Sequence, residues 1–367
     1  MKITHLTSVH PRYDTRIFQK ECCSLSNAGH QVSLVVADGR DDEFKEGVRI
    51  FNIGAYESRA GRMFKITKRV FEKVKALDAD IYHLHDPELI SVGLKLKRLG
   101  KKVIFDAHED VPNQLLSKHY LNKHAKWFLS KIFATYEKWA CRRFDAIVTA
   151  TPFIRNKFLA INPHSVDINN FPVLDEFASA ANGWSAKSNQ ICYIGAVGAI
   201  RGINEIVQAM ELVASGVRLQ LGGKFRELDV EREVKSYAGW SAVNELGWLD
   251  RKGVRDVLAG SVAGLVILHP IINYLDSLPV KMFEYMAAGI PVIASNFPLW
   301  REIIEGNQCG ICVDPLNPQK IARAVNKMLA DHKLAATMGA NGRKAIEQDY
   351  NWHNEEKKLL DLYQKLL

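Results

Sequence analysis

The sequence predicts an α/β protein made of two doubly wound units in tandem. Its 367 residues give room for about two domains, each able to bury its own core. Short β-rich apolar runs alternate with segments of helical spacing, the signature of parallel strands covered on both faces. That alternation breaks off between residues 162 and 190, a stretch rich in Asn, Ser, Ala and Pro with no sustained period, and then restarts. A composition of 47% hydrophobic and 25% charged residues excludes disorder, collagen and coiled coil.

In the first half, KITHLTSV reads as a strand, and helical spacing over 16–28 ends at Gly29, a candidate left-handed cap. HQVSLVVA is a second strand, ADIYHLHD a third, and a helix over 88–99 ending at Gly100 leads to the strand KVIFDAHE. In the second half, QICYIGAVGAI is a strand followed by a glycine turn, 204–213 is helical, and RLQLGG and VAGLVILHP are strands. A helix over 281–288 precedes the strands PVIAS and CGICVDP, and helices over 318–329 and at the C-terminus close the chain. The expected domains are 1–170 and 185–350, with a helix over 351–367 packing back on the first. Ligands of open parallel sheets sit at the carboxyl ends of strands, so two such domains are expected to hold two substrates across a cleft.

Six scattered cysteines form no disulfide framework and are expected as free thiols, with the Cys309 and Cys312 pair in the core. The N-terminus carries no leader pattern and no uncharged apolar run approaches the ~20 residues of a membrane span, so the expected location is the cytoplasm or the inner face of a membrane. The net charge of +8 is uneven: residues 1–180 hold 28 Lys and Arg against 21 Asp and Glu. Much of that excess lies in 118–144, which has seven basic residues, one acid (Glu137) and apolar residues at helical spacing: Leu121, Ala125, Phe128, Leu129, Ile132, Tyr136, Trp139 and Ala140. Such a segment suits an anionic membrane surface, or equally a domain helix with its apolar face in the core; 63–75 is a second basic candidate. No nucleic-acid module is recognisable.

The segment 273–295 (NYLDSLPVKMFEYMAAGIPVIAS) carries the most chemistry. Pro279 suits a first helical turn, Gly289 a left-handed cap and Pro291 the start of the next strand. The N–H groups of Ser277, Leu278 and Val280 would then stand at the positive end of a helix, where a diphosphate binds. Lys281 adds a full charge, and Glu284, one turn on, can face the same ligand and accept ribose hydroxyls. Asp276 stands at a strand end within reach of sugar hydroxyls. Read alone, the same residues also fit a surface helix with a Lys281 to Glu284 ion pair.

This segment resembles the acidic-x7-acidic motif of retaining glycosyltransferases with the GT-B fold, family 4, also called glycosyl transferases group 1. Here it reads Asp-x7-Glu, with Asp276 in place of the first glutamate and Glu284 matching cleanly. The resemblance covers essentially the whole chain. YIGAVGAIRG resembles the strand, glycine turn (Gly198) and basic residue that open the donor domain; Arg201 takes the diphosphate-binding position, and Ala196 stands where an arginine is common. The loops at Gly222, Gly223 and Trp248 would flank the nucleotide base. KVIFDAHEDVP resembles the acceptor-domain strand that ends in a histidine near the reacting sugar, which assigns that place to His108. HPRYDTR resembles a subgroup with an Asp-x-Arg pattern, so Asp14 and Arg16 are expected at the acceptor or as an internal salt bridge. His83, His85 and Asp86 are expected to support from behind.

The resemblance implies two Rossmann-like domains facing each other, catalysis by His108, Arg201, Lys281 and Glu284, and no cofactor and no metal. The expected partners are a nucleoside diphosphate sugar, UDP- or GDP-linked, and a glycan or lipid-linked acceptor of bacterial surface polysaccharide synthesis. A nucleotide-sugar epimerase on the same fold, or a non-catalytic sugar or membrane module, is the alternative. A nicotinamide oxidoreductase fits poorly: GAVGAIRG is not G-x-G-x-x-G, and no acid ends RLQLGG.

Overall fold

A computed structural model describes residues 1–55, 65–116, 122–177, 184 and 187–366. The chain divides into two compact units, Met1–Asn170 with His353–Leu367, and Phe171–Trp352.

The first unit is built on an eight-stranded sheet. Its strands are β1 (Lys2–Leu6), β2 (Gln31–Val36), β3 (Glu43–Lys45), β4 (Val48–Asn52), β5 (Ile81–Leu84), β6 (Lys102–Ala107), β7 (Ala146–Thr149) and β8 (Ser165–Asp167), in the spatial order β3-β4-β2-β1-β5-β6-β7-β8. All neighbours pair in parallel except β3 with β4, a hairpin whose tight turn places Glu46 and Gly47 at positive φ. The sequence reading missed this hairpin, β7 and β8, and in the second unit the strand Val243–Gly247. Three residues are too few to show a period, so β8 was absorbed into the supposed connection over 162–190.

The order reverses between β1 and β5, so the site-forming end of this sheet lies at their carboxyl ends. The expected helix over 16–28 is a π-helical turn (Ile17–Cys22) running into an α-helix (Cys23–Asn27). The core under the sheet gathers Leu6, Val35, Tyr82, Leu84, Phe105 and Ile147 with the apolar faces of the Thr67–Leu77 and Ile90–Arg98 helices.

The second unit is a six-stranded, wholly parallel sheet: β9 (Gln190–Ile194), β10 (Arg218–Gly222), β11 (Val243–Gly247), β12 (Ala263–Val266), β13 (Val292–Ser295) and β14 (Gly310–Val313), ordered β11-β10-β9-β12-β13-β14. The switch point falls between β9 and β12. β12 and β13 are buried at every residue, as central parallel strands must be. Helices begin where the sequence supplies caps. Asp250 accepts from Gly253 N–H (2.7 Å), Asn317 from Lys320 N–H (3.0 Å) and Asp331 from Leu334 N–H (2.8 Å). Where two elements touch most closely the residue is glycine: a Cβ on Gly264 of β12 would sit 2.2 Å from the Tyr285 ring.

Candidate donor and acceptor sites

In the second unit the short helix Val280–Ala287 starts after Pro279 and ends before Gly289, whose φ is +65°. Its first N–H groups have no carbonyl within the helix to bond. Lys281, on its first turn, is 9% exposed, and its Nζ lies 3.5 Å above the Tyr193 ring with no hydrogen-bond partner. Burial and the neighbouring Arg201 charge push its ammonium well below the usual lysine range. A buried cation without an anion is costly, and this one is 3.9 Å from where a Gly195 side chain would begin.

Gly195 and Gly223 bring the β9 and β10 loops together. Both have positive φ, Gly195 N–H donates to Gly222 O (2.8 Å), and any Cβ on Gly223 would collide with Gly195 O. Beside this turn opens a pocket of about 380 Å³ lined by Ala196, Gly223, Phe225, Arg226, Trp248 and Leu249 among others. Trp248 is 71% exposed and offers its ring to solvent. Arg201 ends a 3-10 turn (Ala199–Arg201), its guanidinium 5.9 Å from the Tyr274 ring. Glu284, 7% exposed, is held from another helix: Arg251 Nη1 donates to its Oε1 (2.7 Å), and Arg251 Nε donates to Glu176 (2.5 Å).

In the first unit strand alternation does the assembly. His5 pairs with His83 across β1 and β5, and successive steps of two reach His85 and, on the next strand, Asp106 and His108, so all five share one face at the carboxyl ends. Asp86 then fixes the loop after β1, accepting from Ser8 N–H (2.6 Å) and the Thr7 hydroxyl (2.9 Å). Arg16 reaches Asp106 with two parallel hydrogen bonds of 3.0 Å and gives its third nitrogen to Ile168 O (2.6 Å). Burial disfavours the Asp106 charge, but Arg16 and His108 hold its carboxyl well below the usual range. His108 Nε2 lies 3.0 Å from Asp106 Oδ2.

Comparisons with known proteins agree with this architecture. The model for Glycosyl transferases group 1 matches residues 175–345, and that for Glycosyltransferase Family 4 matches 20–168. The chain belongs to the group 1 glycosyltransferases of the GT-B fold. It is 22% identical to MJ1607 of Methanocaldococcus jannaschii, a glycosyltransferase described as uncharacterised, over 99% of this chain and 98% of that one. A sucrose-phosphate synthase from Thermosynechococcus elongatus matches with a TM-score of 0.80 at 19% identity, over 100% of this chain and 98% of the other. Anabaena Alr3699/HepE, solved in complex with UDP and glucose, matches with a TM-score of 0.76 at 14% identity over the full length of both. At these identities the structural likeness shows the fold.

Within this glycosyltransferase, Gly198, Arg201, Gly223, Trp248, Asp276, Ser277, Leu278, Lys281 and Glu284 all lie in the second unit, and Asp14, Arg16 and His108 in the first. Several expectations need correction. Arg16 is buried and its guanidinium is used internally, so it is the salt bridge and not an acceptor contact. Asp14 is the cap of the turn that follows it, accepting from Arg16 N–H (2.8 Å) and Ile17 N–H (3.0 Å). Asp276 follows a four-residue helix (Ile272–Leu275) and not a strand, and Ser277 N–H bonds Tyr274 O (3.2 Å) instead of pointing freely forward. Lys281 and Glu284 do not pair with each other: Glu284 takes Arg251.

Sequence reasoning missed Arg251, Glu176, Tyr193 and the pocket residues Phe225 and Arg226. Arg251, Glu176 and Tyr193 come from three different elements and Phe225 and Arg226 from the loop after β10, so no local spacing marks them. The sequence's one Asp-x-Asp pair, Asp78 and Asp80, stands at the amino end of β5, away from the site, with Asp78 ion-paired to Lys101 (2.6 Å).

The basic segment folds as the helix Lys123–Cys141, capped by Asn122, which accepts from Ala125 N–H. Residues 118–121, with Leu121, lie outside the described residues, as do Met63 and Phe64 of the second basic candidate. The helix buries Ser130, Glu137, Ala140 and Cys141, while Trp127 and Phe128 are 59% exposed and Leu129, Ile132 and Trp139 are exposed too. This glycosyltransferase therefore shows large apolar side chains to solvent on a basic helix. No helix among the described residues is long and apolar enough to cross a membrane.

Proposed function

We propose that the chain is a retaining, metal-independent glycosyltransferase that moves a sugar from a UDP- or GDP-sugar to a glycan or lipid-linked acceptor. The observation that carries this is the buried, unpartnered Lys281 ammonium beside the glycine turn. Departure of the diphosphate is the demanding step. Lys281, Arg201 and the first N–H groups of the Val280–Ala287 helix stabilise the charge that develops on it, in a site dry enough for each contact to count. Arg can do so with two parallel hydrogen bonds.

Glu284, fixed by Arg251, keeps carboxylate lone pairs for the ribose hydroxyls, and Trp248 with Phe225 walls the base pocket. Gly198, Gly223 and Leu278 supply backbone close to the ligand, and Asp276 meets the donor sugar. His108 positions the transferred sugar and the acceptor. In retention by same-face attack the leaving phosphate assists, so no side chain serves as a covalent nucleophile. The exposed aromatic and basic side chains of the Lys123–Cys141 helix support peripheral docking on an anionic membrane at the cytoplasmic face, where a lipid-linked acceptor of surface polysaccharide synthesis would be met.

The test is calorimetric titration with UDP, GDP, ADP and NAD without added metal. Selective binding of UDP or GDP that is lost in Arg201→Ala is the expected result. Selective NAD binding, or no binding, would overturn the reading. Product analysis with the matching nucleotide sugar then separates transfer from epimerisation, which would release an altered sugar with no acceptor present.

A further inference from the structure

Behind His108 lies a file of buried polar groups that donor chemistry does not use. His83 Nδ1 is 2.8 Å from Tyr363 Oη, and Tyr363 Oη is 3.3 Å from His5 Nε2. His5 Nδ1 is 2.9 Å from His85 Nε2, His85 Nδ1 is 3.3 Å from Asp106 Oδ2, and His108 Nε2 is 3.0 Å from that same oxygen. Apart from His108, each of these residues is buried.

The Asp106 end sets the direction of every bond. Asp106 is ionised against Arg16, and a carboxylate only accepts. His85 Nδ1 and His108 Nε2, both facing it, must therefore carry their protons there. His85 Nδ1 is also 3.4 Å from His108 Nε2, but two N–H groups cannot bond each other, so Asp106 takes both. Burial keeps His5, His83 and His85 below the usual imidazole range, His85 at about 4, so each holds one ring proton at neutral pH. With its proton on Nδ1, His85 has a bare Nε2, which accepts from His5 Nδ1–H. His5 then has a bare Nε2, which accepts from the Tyr363 hydroxyl, and the Tyr363 oxygen accepts from His83 Nδ1–H. One acceptor thus orders four imidazoles.

Two tight clusters of potential metal ligands fall here, His5, His83, His85 and Glu21, and His85, Asp106 and His108. In the second the Arg16 guanidinium occupies both Asp106 oxygens; in the first the orientation is that of hydrogen bonding. The His5 and His85 rings lie 18° from parallel with centroids 5.1 Å apart, so the two nitrogens meet head-on at 2.9 Å. Two ligands of one ion would instead converge on a point about 2 Å from each.

We propose that Asp106 and His85 are positioning residues that fix the tautomer of His108, so that His108 meets its substrate with a bare Nδ1, a hydrogen-bond acceptor for a sugar hydroxyl. The role at a sugar rests on the proposed function; the proton order does not. Three of the four imidazoles in the file, His5, His83 and His85, carry their proton on Nδ1, and His108 alone carries it on Nε2.

Long-range proton–nitrogen correlation on the full-length protein labelled with nitrogen-15 histidine reads each tautomer directly. The expected pattern is His108 protonated on Nε2 and His5, His83 and His85 on Nδ1. His108 protonated on Nδ1, His85 on Nε2, or stoichiometric zinc on the purified chain would overturn the proposal, and none of these needs a variant that folds. In turnover, His85→Leu should lower kcat about tenfold or more at unchanged donor KM, while His85→Asn, whose amide N–H replaces Nδ1–H, should restore most of it. Equal losses in both variants would overturn the positioning role. The expected tautomers together with a fully active His108→Ala enzyme would instead sink the sugar-binding reading of His108 and leave the proton order standing.

Discussion

At the switch point of the first sheet Arg16 is matched by Asp106, and Asp86 by the Ser8 N–H and Thr7 hydroxyl, whereas at that of the second sheet the Lys281 ammonium has no hydrogen-bond partner. Both lie at the carboxyl ends of strands in the same kind of doubly wound unit. The difference teaches what each is built for. A satisfied network holds side chains in one arrangement and gains nothing from an added ion. An unpaired buried charge lowers the stability of the free protein and returns that free energy when an anion arrives.

The largest effect should come from breaking the satisfied network. Asp106→Ala leaves the buried Arg16 guanidinium without its two-bonded partner and with only Glu21 (3.1 Å) against it, and urea denaturation should show a loss of about 3–5 kcal/mol. Arg16→Leu should cost a comparable amount through the stranded carboxylate, and the double substitution should cost less than the two single ones combined. Additive losses would mean that the pair is not the unit of stability in this half.

Lys281→Met should act in the opposite sense. Removing an unpaired buried cation for an isosteric apolar chain should raise the melting temperature of the free protein, by an effect of about 1 kcal/mol, while weakening UDP or GDP binding by about 2–4 kcal/mol. The pH dependence follows from the same group. Because the folded protein holds Lys281 below its ordinary value, the unfolded chain binds more protons between that depressed value and the ordinary ~10.4, and stability should rise with pH across that window. Nucleotide binding should reverse the depression and take up protons. Titrations near pH 9 in two buffers of different ionisation enthalpy would reveal the uptake, and Lys281→Met should abolish it.

How far the sequence speaks differs between the two halves for a physical reason. The donor helix is marked by local signals, Pro279 before it, Gly289 after it, Lys281 and Glu284 one turn apart, so its place in the fold was legible. What Glu284 touches was not, because Arg251 and Glu176 arrive from helices far along the chain. In the acceptor half the legible part was the strand ends at His85 and His108. The role of Arg16 was not legible, since its partner Asp106 lies ninety residues away. His5 and Tyr363 were passed over because one histidine inside a short strand and one tyrosine on a terminal helix carry no spacing signal. Once strand register is known, the steps of two through His83, His85, Asp106 and His108 put them on one face without further information.

A smaller effect is expected at the base pocket. Trp248 is largely exposed and would gain contact area only when a base stacks on it, so Trp248→Ala should leave the melting temperature unchanged and weaken nucleotide binding by about 1–3 kcal/mol. Equal weakening for a ribose diphosphate lacking the base would show that the ring does not meet the base and would move the pocket assignment to Phe225 and Arg226.

The smallest effect per residue, and the one that extends the comparison beyond the two switch points, concerns the Lys123–Cys141 helix. Its exposed Trp127, Phe128 and Ile132 are apolar side chains gathered on one helix, and Lys123, Lys126 and Lys131 stand on the same helix. Near an anionic bilayer each lysine should contribute about 1 kcal/mol, roughly a fivefold change in partitioning, and the contribution should fade as salt rises. Sedimentation with vesicles containing anionic lipid should therefore show stepwise loss through Lys123→Gln, Lys126→Gln and Lys131→Gln, and loss of the salt-resistant part in Trp127→Ser with Phe128→Ser. Donor binding should be unchanged throughout, since none of these residues lies in the second unit. Vesicle binding that survives both sets would show that another surface docks on the bilayer and that this face serves a different partner.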